Sequence, residues 1–239
     1  MTMIGIHLTS ETDDDSLSLS LTHPGQRTAV PPAHRSYLKG EKPDMSMEAG
    51  RKEAHDVLYP VVEEVLDKAG ITAQDIDILV VNCSLFTPTP SLSAMIASRF
   101  QMRADITHFT LGGMGCSAGL ISLDLAQKLL KQKPNSRALI ISTELITRAL
   151  YTGNDRAFMV QNVLFRTGAS CVLLSNRPRD GFRAKFQLKH LVRSMGTDPV
   201  SFETVYCTED AQGHVAVRLS RHIAKVAGRM LQINLNEMG

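Results

Sequence analysis

The stretch Leu111-Gly112-Gly113-Met114-Gly115-Cys116-Ser117-Ala118-Gly119 sets a thiol among glycines, directly after a strand-like run and directly before a helix-like one. A cysteine so placed faces the positive end of a helix macrodipole and backbone N–H groups that lack intrahelical partners. Both favour thiolate over thiol, and the thiolate is the nucleophile of acyl transfer. The same N–H groups, in a turn shaped by Gly113, Gly115 and Ser117, can hold the oxyanion that forms when a thioester is attacked. The glycines also permit a sharp turn and leave space beside the sulfur for a bulky acyl chain. This is the strand–turn–helix logic of a nucleophile elbow, with sulfur in place of a serine oxygen. Spacing alone leaves a second reading equally open, in which Cys116 is a small buried residue packing a Gly-rich helix start. A phosphate loop is set aside, because the Lys-Ser/Thr ending and the GxGxxG order are both missing.

The elements that must position this thiol follow from hydrophobic periodicity. Residues 1–45 read as a poorly ordered leader: Asp13-Asp14-Asp15, a Ser/Leu alternation from Ser16 to Leu21, then Pro24, Gly25, Pro31, Pro32 and Pro43. Order is expected over 46–239. Ala54, Val57, Leu58, Val61, Val62, Val65, Leu66 and Ala69 follow helical spacing, with Gly70 at the stop. Pro60 predicts a kink, or a turn followed by a second helix. Buried strands are expected at Ile76–Cys83, Leu139–Ser142 and Ala169–Leu174, a further strand at Thr107–Leu111, and helices at Leu92–Phe100 and Ser117–Lys131. Beyond these, Phe186 to Val192 alternates like a half-exposed strand. Val205–Cys207 and Val215–Leu219 flank a turn and read as a hairpin, and Ser220 is placed to cap a last helix. Strands alternating with helices argue for an α/β fold with helices covering a mixed sheet.

Bulk properties narrow the function. Of 239 residues, 43% are hydrophobic and 21% charged, which is ordinary for a globular chain with a real core. A net charge of +2 gives no argument for nucleic acid as a partner. The four cysteines are widely spaced and no Cys/His cluster has zinc-ligand spacing, so no metal is expected. No apolar run approaches the ~20 residues of a membrane helix. Cys83 and Cys171 sit in apolar runs and read as inert core thiols, leaving Cys116 and Cys207. Of the eight histidines, His108 and His190 lie near strand patterns, where structural or surface roles are usual. Glu144 follows a strand at its C-terminal end and reads as structural rather than as an acid–base group. Arg166 reads as a salt-bridge partner ahead of a phosphate contact.

Four blocks are very similar to plant-type 3-ketoacyl-CoA synthases: Asn82-Cys83-Ser84-Leu85-Phe86-Thr87-Pro88-Thr89-Pro90-Ser91-Leu92-Ser93-Ala94-Met95, Leu111 to Gly119, Ser142-Thr143-Glu144, and Asn162-Val163-Leu164-Phe165-Arg166-Thr167-Gly168. The resemblance runs from about Pro31 to the C-terminus. It implies a thiolase-like fold, of which this chain is the first, nucleophile-bearing half plus the start of the connection to the second. It implies that Cys116 is the nucleophile, accepting the acyl group of a long-chain acyl-CoA, with malonyl-CoA as the second substrate and a 3-ketoacyl-CoA as product. CoA thioesters then enter as substrates, with no bound cofactor. The full-length enzyme is expected to be a homodimer on the cytosolic face of the endoplasmic reticulum membrane. The family's His and Asn, which build the second oxyanion site, belong to the other half. The chain is therefore expected to be incomplete and inactive in condensation by itself. Thr87 stands where Asn is usual. Two other readings remain: a type III polyketide-synthase-like enzyme, against which the block from Asn82 to Met95 argues, and a non-catalytic thiolase-like half acting as an assembly or regulatory partner.

Overall fold

A computed structural model describes the backbone of Thr2–Thr9 and all of residues 30–239. The Ser/Leu alternation at 16–21 lies outside the described residues. Within the segment expected to be a leader, two elements are formed: strand β1 (Thr2–Thr9) and helix α1 (Pro32–Leu38), whose Ala33 and His34 are buried.

Helix α2 (Met47–Ala69) follows, 23 residues long. Ser46 caps its start by accepting the Ala49 N–H at 3.1 Å, and Gly70 ends it in the left-handed region at φ 58°. All eight apolar residues of the expected stripe are buried. Pro60 does not end the helix: of the two alternatives expected there, the turn followed by a second helix is not formed, and one helix runs through it. The reason is orientation. Pro60 and Asp56, whose carbonyl loses its helical partner, are both on the exposed side of the helix, where a freed carbonyl costs least.

Strand β2 (Ile78–Asn82), helix α3 (Leu92–Arg99), strand β3 (Thr107–Leu111), helix α4 (Ala118–Gln132) and strand β4 (Arg137–Thr143) then alternate. Helix α5 (Arg156–Leu164) and strand β5 (Ala169–Ser175) complete the layer, with a two-residue strand β6 (Phe186–Gln187) at its edge. The sheet order is β3-β2-β4-β5-β1-β6. β2 is parallel to both β3 and β4, and the pairings from β4 outward are antiparallel. Alternate residues serve opposite faces. Leu79, Val81, Leu139, Ile141, Cys171 and Leu173 pack with α2 and α3, while Ile78, Val80, Ala138, Ile140 and Leu174 pack with Ala126 and Leu130 of α4. This two-sided burial is why these strands read as unbroken apolar runs.

The strand expected from Phe186 to Val192 stops at Gln187. Among the described residues its neighbour is β1, paired as Thr2↔Gln187 and Met3↔Phe186. The short helix α6 (Pro199–Phe202) precedes the hairpin β7 (Val205–Glu209) and β8 (Val215–Leu219). The hairpin packs on α5 through Tyr151, Phe158 and Ala216. Helix α7 (Ile223–Met238) buries none of its residues. Ser220 accepts the His222 N–H at 3.2 Å, one position ahead of the helix, so it does not cap it as expected.

Polar ties hold the layer at both ends. Buried Glu53 of α2 accepts the N–H groups of Ile146 (3.1 Å) and Thr147 (2.8 Å) and the Thr167 hydroxyl (2.5 Å). At the N-terminal ends of the parallel strands, Asp77 meets Arg103 (2.9 Å) and Arg177 (3.1 Å), and Arg137 forks onto Asp180 at 2.8 Å twice.

Candidate active site

Parallel strands β3 and β4 lie on opposite sides of β2, so the chain reverses direction across the sheet between its first and second crossovers. Right-handed crossovers running opposite ways deposit their helices on opposite faces, as α3 and α4 are here. The C-terminal ends of the strands at such a switch point frame a crevice. Gly112 to Ser117 joins the end of β3 to the start of α4 at that point, and Cys116 lies within the single 3₁₀ turn Gly115–Ser117. Its thiol is free and exposed.

The glycines of this turn differ in what they supply. Gly113 and Gly115 have φ of +71° and +61°, where a side chain is strained, although a Cβ on either would meet nothing within 4 Å. Gly112 has no such backbone requirement. A Cβ there would lie 2.8 Å from Thr87 Cγ2, so its constraint is space. Ser117 turns its hydroxyl back to donate to Met114 O at 2.9 Å and does not cap α4. The Gly115 N–H donates to Ser84 Oγ at 2.9 Å and is thereby engaged in holding the turn.

Ser84 belongs to the loop after β2, and that loop is fixed by Glu144, just past β4. The Glu144 carboxylate accepts the Ser84 N–H with both oxygens at 3.0 Å and the Leu85 N–H at 3.0 Å. The Cys83 thiol approaches the same carboxylate at 3.7 Å. One turn behind, the Asn82 side-chain amide donates to Ser142 Oγ (2.7 Å) and Ser122 Oγ (2.8 Å), stitching β2 to β4 and α4. Sequence reasoning quoted Asn82 and Ser84 only as parts of a block. Polar residues closing a buried apolar strand were the available signal.

The remaining candidates are held elsewhere. Cys83 is buried, and burial, reinforced by the negative charge of Glu144, pushes its thiol up to about 12. Burial also raises Cys171 far above an ordinary thiol. Cys207 is exposed on β7. His108 Nδ1 lies 3.0 Å from Ser93 Oγ, tying β3 to α3, and His190 is exposed. Arg166 donates to the carbonyls of Asn162 (3.1 Å) and Phe165 (2.8 Å) at the end of α5, where a cation suits the helix dipole. Among the described residues no cluster of His, Cys, Asp or Glu is arranged to hold a metal ion, and no helix is long and apolar enough to cross a membrane.

Comparison with known proteins puts this geometry in context. The model of a family described as "FAE1/Type III polyketide synthase-like protein" matches residues 18–239. 3-Ketoacyl-CoA synthase 6 of Arabidopsis thaliana is 48% identical over 216 residues, covering 90% of this chain and 43% of the relative. 3-Ketoacyl-CoA synthase 4 of the same plant is 42% identical over 238 residues, covering 97% of this chain and 45% of the relative. The chain thus spans less than half the length of these relatives. Among solved structures, 1,3,6,8-tetrahydroxynaphthalene synthase of Streptomyces coelicolor superposes with a TM-score of 0.74 at 18% identity, over 100% of this chain and 74% of that one. The type III polyketide synthase domain of Steely1 from Dictyostelium gives 0.69 at 16% identity, over 99% of this chain and 72% of that one. At such identities these structures establish the fold, a mixed α/β thiolase-like architecture.

Proposed function

The chain belongs to the FAE1/type III polyketide synthase-like family, as a thiolase-like condensing enzyme closely related to plant 3-ketoacyl-CoA synthases, and from that premise we propose that it supplies the acyl-accepting thiol of fatty acid elongation. The observation that carries the reading is the position of Cys116: an exposed thiol in a Gly-rich turn at the start of α4, beside the ends of three parallel strands.

In the proposed reaction the Cys116 thiolate attacks the carbonyl carbon of a long-chain acyl-CoA. The tetrahedral oxyanion collapses, the bond to the CoA sulfur breaks, and the departing CoA takes up a proton. The acyl group is left as a thioester on Cys116. Malonyl-CoA then loses CO2, and the resulting carbanion attacks this thioester. The product is a 3-ketoacyl-CoA longer by two carbons, and the sulfur is returned. The exposed turn at 112–114 leaves the approach to Cys116 open to an extended acyl chain. The resemblance assigns the second step's oxyanion groups to the other half of the fold. Relatives at 42–48% identity are named as 3-ketoacyl-CoA synthases, which favours acyl-CoA and malonyl-CoA over a polyketide programme. Placement on the endoplasmic reticulum membrane and a homodimeric full-length enzyme belong to the same proposal.

The test is acyl transfer to sulfur. Incubation with a long-chain acyl-CoA is expected to add one acyl mass to the protein, mapped to Cys116 and released by neutral hydroxylamine. The Cys116→Ala variant should take none. Equal acylation of that variant, or an adduct confined to Cys207, would overturn the assignment.

A further inference from the structure

A turn made largely of glycine, most of it facing solvent, cannot hold a nucleophile in place by its own packing. Gly112, Gly113, Met114, Cys116 and Ser117 are exposed. Gly113 and Gly115 touch nothing where side chains would be, and glycine has the most conformational freedom to lose on ordering. The bond from Ser117 to Met114 is internal to the turn and fixes its shape, not its place. The residue just before the nucleophile is tied at both ends of its peptide: its carbonyl accepts the Ala118 N–H at the start of α4, and its N–H donates to Ser84 Oγ, which is the bond that reaches beyond the turn and its own helix to the loop after β2. Ser84 can serve as an anchor because its own N–H, and that of Leu85, are held by the Glu144 carboxylate. A carboxylate accepting backbone N–H groups makes charge-assisted bonds, roughly twice as strong as neutral ones.

We infer that Ser84 and Glu144 are positioning residues for the nucleophile: Glu144 fixes the loop, Ser84 fixes Gly115, and Gly115 sets where the Cys116 sulfur stands. Neither touches the acyl group, and no proton passes along the chain of bonds. The inference rests on the proposed role of Cys116 for its catalytic meaning, though the anchoring itself does not.

The test compares the unaltered chain with Ser84→Ala, Ser84→Thr and Glu144→Gln. Acylation by a long-chain acyl-CoA demands a near-attack geometry, and misplacing a reacting atom by about 1 Å can cost ~100-fold. Alkylation by iodoacetamide is small and geometry-tolerant. Ser84→Ala and Glu144→Gln are expected to slow acylation ~10- to 100-fold while changing Cys116 alkylation less than ~3-fold, and Ser84→Thr, which keeps the hydroxyl, should restore acylation. Hydrogen exchange across 112–117 reads the anchor without any acyl chemistry, and should accelerate ~5-fold in Ser84→Ala, as expected for one lost bond, but not in Ser84→Thr. Unchanged exchange in Ser84→Ala would overturn the anchor whatever the acylation result. So would parallel losses of acylation, alkylation and urea midpoint, which mark a merely structural role. If the unaltered chain takes no acyl group while exchange still rises in Ser84→Ala, the anchor stands and the functional reading falls.

Discussion

Replacing Gly112 with Ala probes the turn at the point where space governs it. The new Cβ would stand 2.8 Å from Thr87 Cγ2, whereas its next neighbours, Cys83 O and Thr87 Cβ, lie at 3.6 and 4.0 Å. Carbon atoms prefer about 3.5–4.0 Å, so the methyl and the turn must part by roughly 0.7 Å or more. Thr87 is exposed but β-branched, so it yields by changing rotamer rather than by bending. That places the cost near the low end of the ~1–3 kcal/mol range for overpacking. The obstacle is a single methyl, and Thr87→Ser removes it. In the Thr87→Ser background the Gly112→Ala penalty should largely vanish, giving a coupling of ~1 kcal/mol between the two sites. Urea unfolding of the parent, both single variants and the double variant measures this. Acylation of Cys116 followed on the same four proteins should fall in Gly112→Ala and return in the double variant. If the two substitutions prove additive, the Thr87 methyl is not what keeps position 112 bare, and the steric argument fails.

Other expectations follow from the same geometry. Cys83 and Cys171 should resist iodoacetamide until the protein unfolds, and Cys116 should label faster than Cys207. A thiol held at about 12 carries a thiolate fraction of about 1 in 10⁴ at pH 8, and mass-spectrometric mapping reads the order. Asp180→Asn should destabilise by ~1–3 kcal/mol, because it takes the charge from the closer carboxylate of half-buried Arg137 (2.8 Å) and leaves Asp75 at 3.6 Å as the remaining one. The Arg137 bonds hold the Asp180 carboxyl below the usual carboxylate range. Its contribution is therefore present above the unfolded value near ~4 and lost as pH falls through the folded one, and the variant should show a shallower acid dependence of stability. Helix α7 carries Leu231, Leu235 and Met238 at 59%, 55% and 57% exposure, and exposed apolar faces associate. Light scattering should find self-association rising with concentration, and a stable monomer across the micromolar range would refute this. With isotopically labelled malonyl-CoA a polypeptide of residues 1–239 is expected to release no CO2 above a Cys116→Ala control, and ordinary turnover would refute this.

Much of the fold was legible because its central strands, β2, β4 and β5, are largely buried on both faces. Ile78–Asn82 and Ala169–Ser175 announce themselves as short apolar runs, and the stripe of α2 as a 3.6-residue period. The misreadings share a cause, namely dependence on distant neighbours. Pro60 is tolerated inside α2 because its side of the helix faces water, and of Phe186 to Val192 only Phe186 and Gln187 pair with β1. Helix α5 escaped because its apolar residues form no buried stripe: only Phe158 and Gln161 are buried, and that burial depends on the hairpin, where the Gln161 side-chain carbonyl accepts the Val217 N–H at 2.7 Å. At the candidate site, the placement of Cys116 in a turn between β3 and α4 was legible from glycine spacing, and its proposed role comes from resemblance. Its supports were not, since Ser84 and Glu144 meet across 60 residues and no local pattern pairs them.

That separation orders events as the chain leaves the ribosome. Gly115 follows Ser84 by 31 residues, so the turn emerges about midway between its hydroxyl partner and the carboxylate that steadies that hydroxyl, which comes 60 residues after Ser84. At ~5–20 residues per second, Ser84 waits roughly 3–12 s for Glu144. During that interval β2 has β3 beside it but not β4, and long-range pairings of this kind form slowly. Nascent chains stalled on either side of Glu144 should differ in protease resistance across the 112–117 turn. The thiol is synthesised early but comes into alignment late, once the strand that ends beside Glu144 has joined the sheet.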